Sequence, residues 1–114
     1  MTQTIRYLDR KDKIREELLK LARAGKTCFY MQFGHRVGIP KQGPWKPVLD
    51  CISREETAKG RPDITFLLVN KSTGLPGQIG FQGAGKPTPA QRRLAHEKVK
   101  EVFDHYCPGA SVPF

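Results

Sequence analysis

The stretch FGHRVGIPKQGPWKPVL, residues 33–49, decides the fold. It holds three glycines, three prolines and four basic side chains counting His35, and no acid. Upstream, Tyr30, Phe33 and Val37 recur at i, i+3 and i+7, which predicts a helix over residues 30–36 with those side chains buried. Gly38 suits a left-handed C-cap, and Pro40 cannot continue the helix. Downstream, a helix starts near Pro44 or Trp45 and ends at Lys59 and Gly60. Val48, Leu49 and Ile52 face its core side, while Lys46, Asp50, Ser53, Arg54 and Thr57 lie opposite. Asp50 on that face, with Glu55 and Glu56 following, makes it a poor base-reading face for G-rich sequence, and a capping or surface role suits Asp50 better than accepting from cytosine.

Working outward, Ile14, Leu18, Leu21 and Ala22 predict a helix to about Ala24, capped by Asp9 or Asp12 and stopped by Gly25. Residues 26–28 fit a very short strand. Residues 64–70 (ITFLLVN) predict the clearest strand, and residues 75–81 its irregular return strand after the turn KSTG. Thr88, Pro89 and Gln91 have the spacing of a capping box and open a last helix to about Tyr106.

This order predicts an α+β fold, a winged helix-turn-helix with a two-stranded hairpin wing and an added C-terminal helix. The expected organisation is an arm over 1–8, the winged helix-turn-helix over 9–82, a linker and helix over 83–107 packed on the same domain, and a tail over 108–114.

Charge sharpens the reading. Twenty Lys and Arg against eleven Asp and Glu give a formal charge of +9 over 114 residues. That is the electrostatic footprint of a nucleic-acid binder. No acid occurs between Glu17 and Asp50, or between Asp63 and Glu97. Those two acid-free spans hold the helix-turn-helix and the hairpin. They imply phosphate-dominated binding of double-stranded DNA, of a regulatory kind. Lys41, Gln42 and Lys46 are expected at the major groove, and Lys26, Arg36 and Arg54 on phosphates. Lys71, Ser72 and Thr73 form the wing tip. Trp45 reads either as an unstacking wedge or as core.

The segment GKTCFYMQFGHRVG, residues 25–38, resembles the helix-turn-helix entry of alkyltransferase and alkyltransferase-like DNA-repair proteins, with Gly25, Lys26, Tyr30 and Gly38 in register. The resemblance extends over about residues 14–82 and includes the hairpin VNKSTGLPG, also similar to that of small winged-helix proteins. It implies a phosphate contact for Tyr30. The chain departs from the family at the Pro-Cys-His-Arg nucleophile motif, where it has Arg61-Pro62-Asp63-Ile64, and near the start of the recognition helix, where Trp45 or Lys46 stands for an arginine. Alkyl transfer is therefore not expected, and neither is any other enzymatic activity.

Cys28, Cys51 and Cys107 form no CxxC pair, and no metal site or cofactor is expected. With no apolar run of about 18 residues and no signal-like N-terminus, the expected location is the cytoplasm, away from membranes. The alternative reading is a small accessory or inhibitory module of the same fold that binds an acidic protein. Leu75, Pro76, Gly77 and the last helix would then carry the contact.

Overall fold

The computed structural model describes residues 7–39, 45–71, 73–79 and 87–114. Among them the fold is α+β: four α-helices and a two-stranded parallel sheet. The helices are α1 (Lys11–Ala24), α2 (Tyr30–Val37), α3 (Trp45–Ala58) and α4 (Pro89–Tyr106). The strands are β1 (Cys28–Phe29) and β2 (Leu68–Val69), paired Cys28 to Leu68 and Phe29 to Val69. No helix among the described residues is long and apolar enough to cross a membrane.

Each helix buries the stripe its spacing dictates. Ile14, Leu18, Leu21 and Ala22 of α1 meet Phe33 and Val37 of α2, Val48, Leu49 and Ile52 of α3, and Val99, Val102 and Phe103 of α4 in one core. Gly25 ends α1 with φ 65°, and Gly38 ends α2 with φ 74°, the left-handed conformation that glycine adopts without steric cost. The Gly38 N–H donates to the Gly34 carbonyl at 2.8 Å. Thr88 and Gln91 form the expected reciprocal capping box at the start of α4. Neither Asp9 nor Asp12 caps α1; a 3-10 turn over Leu8–Arg10 leads into it instead.

The hairpin wing is the main correction. Ile64–Leu67 is a 3-10 turn, not a strand, and only Leu68 and Val69 are extended. A strand would turn alternate side chains to opposite faces. Here Ile64, Thr65, Phe66 and Leu67 are all buried, which a tight helical turn achieves. Asp63 fixes that turn: its carboxylate accepts from the Thr65 N–H at 3.0 Å and from the Ser53 hydroxyl at 2.5 Å. Among the described residues β2 pairs in parallel with β1, and the return segment contributes a single antiparallel bridge, Val69 to Pro76. Its next residues, Gly77–Ile79, form another 3-10 turn. The turn between them is closed by the Asn70 N–H donating to the Leu75 carbonyl and the Gly74 N–H to the Asn70 carbonyl.

Candidate nucleic-acid interface

The outward face of α3 carries Lys46, Asp50, Arg54 and Thr57, spaced three and four residues apart. Lys46 is exposed and lies 3.5 Å from Asp50. The Arg54 guanidinium rests on the Cys51 sulfur at 3.5 Å, and Cys51 itself is buried.

Glu55 and Glu56 are not surface acids of this face. They turn toward α1 and the end of α3. Glu55 accepts from Lys11 Nζ at 2.6 Å and from Arg15. Glu56 is fully buried and accepts from Arg61 Nε and Nη2 at 3.1 and 2.8 Å, with Arg15 Nε 3.6 Å away. Lys11, followed by Arg15, holds the Glu55 carboxyl below its ordinary range. The sequence reading missed this because its helix face was drawn without knowing where α1 would present its cations.

At the start of α2, Tyr30 packs edge-on against Trp45, ring centroids 5.4 Å apart, and Phe33 lies 6.0 Å from the same indole. Trp45 is buried, so it is core and not an unstacking wedge. The Tyr30 hydroxyl stands 2.5 Å from where a side-chain carbon at Gly77 would sit. Burial pushes its phenol up to about 12. Tyr30 thus joins α2 to α3 and to the turn at 77, and this packing explains its position without a phosphate.

Phe29, Tyr30, Met31, Gln32, Asn70 and Lys71 line a recess of about 250 Å³. Phe29 and Met31 are exposed at its edge, 38% and 48%. Sequence reasoning passed over both; the available signal was two apolar residues out of phase with the Tyr30, Phe33, Val37 stripe. The first turn of α2 has no acid and no side-chain cap.

Among the expected contacts, the structure brings Tyr30 and Lys71 to this recess and places Lys46 and Arg54 on the α3 face. Lys26 is exposed in the loop before β1, and Arg36 is exposed in the last turn of α2. Thr73 is held inside the turn, its Oγ accepting from the Leu75 N–H at 3.2 Å, so it is no free wing tip. Lys41, Gln42 and Ser72 lie outside the described residues. Leu75 and Pro76, the alternative protein-binding tip, are buried.

Among the described residues, no group of His, Cys, Asp and Glu is placed to hold a metal ion. Burial raises the Cys28 thiol above its ordinary value, which disfavours the reactive thiolate. No protein-family model, no curated protein and no solved structure matches this chain.

Proposed function

We propose that this protein binds double-stranded DNA without catalysing a reaction, through α2 and α3 acting as a helix-turn-helix, with phosphate contacts dominating. The observation that carries this reading is the segregation of charge on α3. Glu55 and Glu56 are drawn to Lys11, Arg15 and Arg61, which leaves Asp50 as the one carboxylate on the outward face beside Lys46 and Arg54. Phosphates are repelled by misplaced carboxylates, so the arrangement favours a polyanion. Lys26, Arg36 and Lys71 also have no ion-pair partner among the described residues, in keeping with a surface awaiting anions.

The winged-helix description and the kinship with alkyltransferase-like proteins belong to the same proposal. In its favour, the 3-10 turn Ile64–Leu67 and β2 follow α3, and the Asn70 and Gly74 N–H groups close a glycine-containing turn after β2. That turn is the candidate wing, with Lys71 its cation. A helix presented in this way enters the major groove by its N-terminal residues, which places Lys46 first.

A second reading, an accessory module for an acidic protein, draws on exposed Phe29 and Met31 rather than on the hairpin tip. One experiment separates them. Fluorescence anisotropy with a random-sequence duplex, read over a range of salt, should give a log–log slope of roughly −4 to −5 for four to six phosphate contacts. Absence of binding at low salt would sink the DNA reading and turn the search to an acidic protein.

A further inference from the structure

The buried stripe of α4 runs Ala95, Val99, Val102 and Phe103. Arg92 continues that stripe, three residues before Ala95 and seven before Val99, yet it is exposed. Pro89, Ala90, Arg93 and Leu94 are exposed as well. Apart from half-buried Gln91, the residues of the first turn and a half of α4 are open, so that end of the helix projects beyond the core. An unpacked helix end is marginal by itself. Here the cap holds it: Thr88 Oγ accepts from the Gln91 N–H at 3.1 Å, and Gln91 Oε1 from the Thr88 N–H at 2.8 Å.

The projecting end carries only positive charge. Arg92 and Arg93 sit in it, and the acids of α4, Glu97, Glu101 and Asp104, all come later. Neither arginine has an ion-pair partner among the described residues. α4 packs against the turn Gly77–Ile79, and Gly77 is the residue on which the Tyr30 hydroxyl rests at the start of α2.

We infer that the projecting end of α4 is a second DNA-contact element, with Arg92 and Arg93 engaging backbone phosphates beyond those reached by α3. This inference rests on the DNA reading of α2 and α3. Arginine suits the task, since its planar donor fork matches phosphate oxygens. The element adds affinity and footprint but no base reading.

The test is the salt dependence of duplex binding for the wild type, for Arg92→Ala with Arg93→Ala, and for a control carrying Arg23→Ala with Lys59→Ala. The control removes two exposed cations of α1 and of the turn after α3. Loss of two phosphate contacts should make the slope shallower by about 1.8 in the α4 variant, with the control at the wild-type slope and both melting temperatures unchanged. A wild-type slope in the α4 variant would overturn this inference and leave the DNA reading standing. An equal change in the control would also overturn it, since net charge alone would then account for the loss. A wild-type protein that binds no duplex would overturn both.

Discussion

The carbonyl oxygen of Ile39 fills the place that a side chain at Gly34 would need. The same position lies 3.3 Å from Trp45 Cζ2. Gly34 is in the middle of α2, where alanine is ordinarily better than glycine by about 1 kcal/mol. Here the obstacle is backbone, which cannot rotate away. Gly34→Ala should therefore destabilise the fold by about 2–3 kcal/mol through overpacking, measured by urea unfolding. A neutral or stabilising result would mean that the Ile39 carbonyl can give way beside Gly34.

Lys46 tests the interface directly. Its side chain is 75% exposed and its ion-pair partner among the described residues is Asp50, a surface pair worth at most about 1 kcal/mol. Lys46→Glu reverses the charge at the proposed groove-facing end of α3. Binding to duplex DNA should be lost, while the melting temperature falls by no more than about 4 °C. Unchanged binding would remove Lys46 from the interface, and a large fall in melting temperature would make it structural.

How much of this was legible in the chain depends on the range of the interaction. The helices were readable because their signals are local: a periodic stripe, a left-handed glycine at 38, a capping box at Thr88 and Gln91. Residues 64–67 were misread because a short apolar run fits a strand or a buried turn equally well. The choice fell to Asp63 and to the core on several sides. The burial of Glu56 was not legible for the same reason, its partners Arg15 and Arg61 being set by the packing of α1 and the path after α3. Trp45 had two readings from sequence, and Tyr30, fifteen residues earlier, helps to bury it.

The ionic cluster around Glu55 and Glu56 predicts behaviour in acid. Glu56 is buried with two hydrogen bonds from Arg61, so Glu56→Ala should leave Arg61 without its counter-charge and Arg15 with Glu55 and Asp12 alone. The expected cost is about 2–3 kcal/mol, below the full penalty for a buried pair because Arg61 is partly exposed. Glu55 has a carboxyl lowered from 4.5 by Lys11 and Arg15. A lowered carboxyl contributes stability that is present above its unfolded value and is lost as pH falls through the folded one. Thermal melts should show a decline beginning near pH 4.5 that is smaller in Glu55→Gln. A variant that follows the wild type throughout would show that Glu55 adds nothing to the link between α1 and α3.

Tyr30 predicts the alkaline limb. Burial raises its phenol from 10.0 to about 12. A raised value means that the folded state holds the proton more tightly, so its contribution is intact below pH 10 and is lost as pH rises toward 12. Two units correspond to about 2–3 kcal/mol at 1.36 kcal/mol per unit. Tyr106 is raised as well, chiefly by burial, and would add its own alkaline loss to any variant. The informative comparison is therefore wild type against Tyr30→Phe, which keeps the ring against Trp45 but has nothing to ionise. The two proteins should diverge above pH 10, the wild type losing stability faster, and phenolate absorbance should report one fewer late-titrating tyrosine in the variant. Parallel melting curves across that range, or a wild-type Tyr30 that ionises near pH 10, would mean that water reaches the hydroxyl beside Gly77. In that case Tyr30 would again be open to the phosphate contact that its packing against Trp45 and Gly77 now argues against.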